Sequence, residues 1–369
     1  MIEKYYDGAI EQVAAGLGTV EKNHLLVRYS GQFSVENLND TKQLEKNEDI
    51  FVQVHEFETG EITCAYEPYL TMICDGFRRY MTGTFEEFME TCDVYYLHRP
   101  VLLGYFNQDN TGREEIILLD EVAYEQERML AALERMLCAI ADRHPVLFVL
   151  NRFQLASKST IQLTARFLKC ENCNIGLVLG VSDIQAMPEF LVPDWEMLYE
   201  TLDDGSKIYH IGNSGRKKEE TIDDEKYVDY GSEKVYRKLQ NMVEFLDFDQ
   251  AAYYLETIER KIKFDNLLVD DAARFRMWLL FVKVSILRQD IPKALEICED
   301  LEKIHLAGKE EECAYEQDYL IATAYMYQGK LKEALEMAGE TYRIAGKMSD
   351  DYRMFLSELL EAKIQMSGW

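Results

Sequence analysis

Five short apolar runs punctuate the first 212 residues, and the positions between them recur mostly at helical spacing. His24–Tyr29 (HLLVRY) is compact and is ended by Ser30-Gly31. Ile50–Glu56 (IFVQVHE) alternates apolar and polar side chains, whereas Val146–Leu150 (VLFVL) and Ile175–Val181 (IGLVLGV) are continuously apolar. Lys207–Ile211 (KIYHI) is a weaker fifth run. Continuous apolar strands separated by helices predict a parallel sheet covered on both faces. The expected fold class over residues 1–212 is therefore α/β, with five parallel strands and flanking helices. Between the second and third runs, Tyr66–Met81 and Phe85–Cys92 read as short amphipathic helices. Leu118–Arg143 predicts a longer one, with Leu130, Leu133, Leu137 and Ile140 at spacings of three and four and no Pro or Gly inside.

Residues 213–232 (NSGRKKEETIDDEKYVDYGS) lose apolar periodicity and carry blocks of charge, which predicts a linker. From residue 233 to 369 every segment reads as helix, and the helices come in pairs. Trp278, Phe281 and Val282 are followed by Ala294 and Cys298; Ile321, Ala322 and Tyr325 are followed by Gly329, Ala334 and Ala338. This order of bulky, small, aromatic, turn and small residues resembles the tetratricopeptide pattern. Small residues at Ala294 and Ala334 would let paired helices approach closely. The sequence departs from the pattern at Ser285, where an aromatic is usual, and at Gln289, where Gly is usual. The copies are also offset by 40 positions, from Gln289 to Gly329, against about 34 in that repeat, which calls for a longer connection around His305–Gly308. Met242–Phe245 with Tyr253–Ile258, and Met354–Ile364, read as further units or caps. The expected product is an all-α solenoid that holds a protein partner, with Trp278 and Tyr325 as candidate contact residues.

The first apolar run is followed by Gly31-Gln32-Phe33-Ser34-Val35-Glu36-Asn37-Leu38. On the phosphate-binding pattern G-x4-G-K-[ST], Gly31 fills the first position. Glu36, Asn37 and Leu38 stand where the second Gly, the Lys and the hydroxyl belong. That loop needs Gly so that its amides wrap the phosphates, Lys to neutralise them, and a hydroxyl to hold Mg²⁺. Glu36 adds repulsion instead.

Val146–Ile161 (VLFVLNRFQLASKSTI) resembles the Walker B region of the signal-transduction ATPases with numerous domains, the regulatory branch of the AAA-like ATPases. Gln154 and Ala156 match that region, and Ser159 or Thr160 stands at its hydroxyl position. Asn151 and Arg152 occupy the acidic pair, Leu155 the Trp, and Ser157 the later Asp. The run Ile175–Val181 follows at the distance of the next core strand, with Ser182 nearest to the polar sensor position. The resemblance implies a P-loop-type sheet over residues 1–212 continuing into helical repeats. Where the sequence departs from it, the phosphoryl-transfer groups are gone. The expectation is a pseudo-ATPase whose vestigial nucleotide site comprises Gly31, Glu36, Asn37, Leu38, Asn151 and Arg152, with no cofactor and no catalytic or metal-binding residue.

Composition narrows the partners. The 369 residues carry 40 Lys and Arg against 67 Asp and Glu, a net charge of −27 that repels phosphate backbones and anionic lipid. Direct nucleic-acid or membrane binding is not expected. A hydrophobic content of 47% excludes a disordered chain. No apolar stretch reaches the length of a signal peptide core or a membrane span. Eight irregularly spaced Cys then read as reduced thiols, and a cytoplasmic protein is expected. The single CxxC, Cys170–Cys173, lacks a second pair of zinc ligands, and the six His are scattered. Tyr5-Tyr6, Tyr95-Tyr96 and Tyr253-Tyr254 suit either interfaces or half-buried helix positions. Glu310–Glu312 and Asp223-Asp224 read as solvated charge, with an acidic strip for a basic partner as the sharper alternative.

The functional expectation is a regulatory or scaffolding subunit that binds protein partners, with an active ATPase relative among the candidates. Two alternatives keep the same architecture: a transcriptional regulator subunit that relies on a separate DNA-binding partner, and a nucleotide-binding switch without hydrolysis. A third is an enzyme on a different fold that uses His55, Glu56 and Glu58.

Overall fold

The computed structural model describes residues 2–17, 24–29, 49–58, 61–108, 121–170, 174–182, 188–203, 207–211 and 229–367, of which residues 2–7, 9, 203 and 207–211 by backbone alone. Gly31, Glu36, Asn37, Leu38, Cys173 and most of the charged linker lie outside these residues. The chain divides into two compact units. The first comprises Met1–Glu115, Ala123–Val228 and the turn Glu244–Asp247; the second comprises Ile116–Val122, Asp229–Val243 and Phe248–Trp369.

The described elements of the first unit run α1 (Ile2–Gly16), β1 (Leu25–Tyr29), β2 (Phe51–Glu56), α2 (Tyr69–Tyr80), α3 (Phe85–Thr91), α4 (Arg99–Asn107), α5 (Val122–Ala141), β3 (Val146–Asn151), α6 (Lys158–Lys169), β4 (Ile175–Ser182) and α7 (Val192–Asp203). All four strands are parallel and lie in the order β2-β3-β4-β1. The expectation of five core strands is corrected to this four-stranded sheet. Lys207–Ile211, the weakest of the apolar runs, pairs its backbone parallel to the outer side of β1, with Leu25 opposite Lys207.

Burial explains the sequence patterns. β3 is buried at every position, as its uninterrupted apolar run requires of an interior strand. β2 lies at the edge, and Val52 to Glu56 are half-buried, which accounts for its alternation. On one face Ile10 and Val13 of α1 pack on Leu25, Val27, Leu147, Val149 and Val178. Gly176 permits that approach, since a Cβ there would lie 2.6 Å from Val13 Cγ1. On the other face Phe148 meets Tyr69 of α2 edge-on at 4.8 Å between centroids, and Tyr69 in turn meets Phe167 of α6 at 5.3 Å.

Topology places the carboxyl ends of β1 and β4 at a special point. The chain leaves β1 toward β2 at the far edge, whereas each step from β2 to β3 to β4 moves in the opposite direction. Open parallel sheets take ligands at such switch points, beyond the carboxyl ends of the strands.

The second unit is a helical region of seven described helices: α8 (Glu233–Glu244), α9 (Phe248–Phe264), α10 (Asp271–Leu287), α11 (Ile291–Leu301), α12 (Glu310–Tyr327), α13 (Leu331–Met348) and α14 (Asp351–Ser367). Asp270 and Asp290 cap α10 and α11 by accepting from the backbone N–H groups of Ala273 and Lys293. Three turns share one C-terminal geometry. Gln289 (φ 63°), Gly329 (φ 78°) and Ser349 (φ 55°) are left-handed. In each case the next N–H donates five residues back: Asp290 to Ser285 O at 2.8 Å, Lys330 to Tyr325 O at 2.9 Å, and Asp350 to Ala345 O at 3.1 Å. Ala322, Ala334 and Ala338 are fully buried with Met326, Leu360 and Ile364, so the small residues do sit where helices meet.

Candidate functional site

The polar side chains at the carboxyl ends of the strands bond mainly to one another. β3 ends at Asn151, and Arg152 (φ 53°) turns the chain into a short 3-10 turn, Phe153–Leu155. Asn151 is fully buried, and its Oδ1 accepts a hydrogen bond from the Tyr29 hydroxyl at 2.6 Å. These two residues are on strands that are not neighbours, because β4 lies between β1 and β3. The register pairs Val27 with Gly180 and Leu150 with Leu179. Side chains alternate faces along a strand, so Tyr29, Gly180 and Asn151 share one face. Gly180 has no side chain to stand in the way, and the phenol reaches across β4.

Burial is the main reason that the Tyr29 hydroxyl is pushed up to about 12; nearby Glu56 adds to the rise, while Arg152 and the bond to Asn151 oppose it. The phenol is therefore a neutral donor at physiological pH. Arg152 Nη2 lies 3.3 Å from Glu56 Oε1, and the two side chains are only 26% and 17% exposed. The cation left at the end of β3 is thus matched by a carboxylate from the end of β2. His55 stands next to Glu56 in β2 and so points to the opposite face, where it packs edge-on against Phe57 at 4.5 Å. Glu58 is exposed beyond the strand end. The proposed enzymatic trio of His55, Glu56 and Glu58 is accordingly split over two faces.

The other residues of the resemblance hold the sheet edge together. Gln154, 6% exposed, accepts at Oε1 from the Ser182 backbone N–H at 3.1 Å, tying the turn after β3 to the end of β4. Ser157 caps α6 by accepting from Thr160 N–H. The Ser159 hydroxyl accepts from Tyr66 N–H at 3.1 Å, and its own N–H donates to Asp247 Oδ2 at 3.0 Å. Thr160 Oγ1 donates to Glu67 O at 2.9 Å. Burial together with the Asp247 charge raises the Tyr66 hydroxyl well above its ordinary value. These hydroxyls therefore anchor the segment before α2.

Cys170 Sγ lies 3.9 Å from Cys138 Sγ. Among the described residues no group of three or more His, Cys, Asp or Glu is placed to hold a metal ion. Trp278 is 3% exposed and packs against Phe281, so its indole belongs to the core of the helical unit and is not presented to a partner. Tyr325 is half-buried beside the Ala322–Ile364 cluster, with Lys330 Nζ 5.4 Å above its ring.

Tyr29 and Asp247 are the site residues that sequence reasoning missed. A Tyr closing an apolar strand opposite a later Gly-containing strand was the available signal for Tyr29. Asp247 has no local signal, since its partner is 88 positions away. Among the described residues no helix is long and apolar enough to cross a membrane. No protein-family model matches the chain, and no curated protein matches it.

Proposed function

We propose that this chain is a non-catalytic regulatory or scaffolding protein, in which a degenerate P-loop-type ATPase unit is joined to tetratricopeptide-like repeats that hold a protein partner. The reading rests above all on the end of β3. Metal-dependent phosphoryl transfer wants carboxylates there, to hold Mg²⁺ and to position the nucleophile. This chain has a buried amide bonded to Tyr29 and a guanidinium bonded to Glu56. Both groups meet their needs inside the protein, at the switch point where open α/β sheets usually take ligands. The parallel order β2-β3-β4-β1 and the helical continuation support the family reading. The three matching left-handed turns support stacked helical hairpins. A net charge of −27 favours a protein partner over nucleic acid.

Freshly purified protein, denatured and analysed by chromatography of the supernatant, is expected to release no nucleotide. Calorimetry with Mg-ATP is expected to give no heat. Stoichiometric ADP or ATP would overturn the vestigial-site reading and make the protein a nucleotide-dependent switch.

A further inference from the structure

Helix α14 carries two apolar faces. Ser357, Leu360 and Ile364 are buried, and Leu360 and Ile364 pack against Ala322, Ala334 and Ala338. On the opposite side Tyr352 is 48% exposed, Phe355 57%, Leu359 38% and Met366 77%, and Ala362 is exposed between the last two. Their spacing is three, four, three, four. That is the 3.5-residue period of a coiled-coil seam, with Tyr352, Leu359 and Met366 at one core position and Phe355 and Ala362 at the other. A contiguous apolar stripe of this kind marks an interaction surface.

The flanks of the stripe identify its occupant. Glu358 borders it on one side and Lys363 on the other, at the two positions that form interhelical ion pairs in a parallel two-stranded coil. In a parallel pair of two α14 helices in register, Glu358 of each copy falls beside Lys363 of the other, so the contact carries two complementary pairs. An antiparallel arrangement would set Glu358 against Glu358 or Gln365, and Lys363 against Leu356 or Lys363, with no opposite charges facing. Neither Glu358 nor Lys363 forms an ion pair with another described residue. The helix has three acids (Asp351, Glu358, Glu361) and two bases (Arg353, Lys363), a net charge of only −1 within a chain of net charge −27. It is thus a surface on which two such chains can meet with little local repulsion.

We propose that α14 mediates homodimerisation, two copies of this chain pairing their Tyr352–Met366 stripes in parallel about a two-fold axis. The proposal stands apart from the reading of the α/β unit and is unaffected by whether that unit binds nucleotide.

Sedimentation velocity on the full chain, from low to high micromolar concentration, tests it. The expected result is a species of twice the 43.1 kDa chain mass. Leu359→Glu is expected to leave the chain monomeric over the same range, with the circular dichroism spectrum of the folded protein retained. Glu358→Lys and Lys363→Glu are each expected to weaken dimerisation by roughly tenfold or more, because each places like charges together at both flanks. The double exchange Glu358→Lys with Lys363→Glu is expected to restore it. A monomer at every concentration overturns the proposal, as does a dimer that survives Leu359→Glu. Failure of the double exchange to restore the dimer overturns the parallel geometry.

Discussion

Loss of one oxygen from Tyr29 tests how the edge of the sheet is held. Tyr29→Phe removes the donor to the fully buried Asn151 Oδ1. It is expected to cost about 1–2 kcal/mol of stability, read as a lower urea midpoint for unfolding of the α/β unit. An unchanged midpoint would mean that the bond across β4 does not hold the strands. Asp318 on α12 gives a second test, with the opposite sign. Burial, followed by the charges of Glu340 and Glu302, pushes its carboxyl up to about 6 from an ordinary 3.8. A carboxyl raised in the folded state binds its proton more tightly there than in the unfolded chain. The folded state is therefore penalised progressively as pH rises from about 4 to about 6, and fully above that. Asp318→Asn should raise stability at pH 7 by on the order of 1 kcal/mol, allowing for solvent screening of a half-exposed group. The gain should vanish near pH 4, and an equal gain at both pH values would refute the electrostatic cause. At this scale the sequence showed an amide and a guanidinium, Asn151 and Arg152, at the end of the third apolar run, because that is a matter of adjacent letters. It did not show what they bond to, since Tyr29 is 122 positions from Asn151.

Elements were the most legible level. The helical spacing of Leu130, Leu133, Leu137 and Ile140 became α5, with all four side chains buried. The uninterrupted apolar runs became the interior strands β3 and β4. Gln289 is more instructive because, though not a glycine, it adopts the same left-handed turn as Gly329. The turn is imposed by the backbone bonds on either side of it, and the residue tolerates the strain. A non-glycine residue in that region costs roughly 1–2 kcal/mol, partly offset by the greater freedom of Gly in the unfolded chain. Gln289→Gly is thus expected to raise stability by about 0.5–1 kcal/mol, measured as a higher thermal midpoint of the helical unit. A lower midpoint would mean that the Gln289 side chain contributes more than its backbone conformation costs.

For the whole molecule, the net charge of −27 is the dominant long-range term. Like charges repel one another more in the compact state than in the expanded one, and salt shortens the reach of that repulsion to about 10 Å at 0.1 M. Raising NaCl from about 20 to about 200 mM is therefore expected to raise the thermal midpoint. A fall would show that the ion pairs, such as Arg353 with Glu316 and Lys293 with Glu259, outweigh the global repulsion. The amino-acid sequence alone was enough to establish an α/β part followed by helices, and an amide and a guanidinium, Asn151 and Arg152, closing the third apolar run. Both are written in local order, through the period of apolar positions and the identity of neighbours. Which strands lie side by side, how Gly180 lets Tyr29 reach Asn151, and that Trp278 turns inward while α14 turns an apolar stripe outward were decided by tertiary structure. Those outcomes depend on which distant segments meet. An apolar side chain has the same period whether it faces its own core or a second molecule, and only packing separates the two.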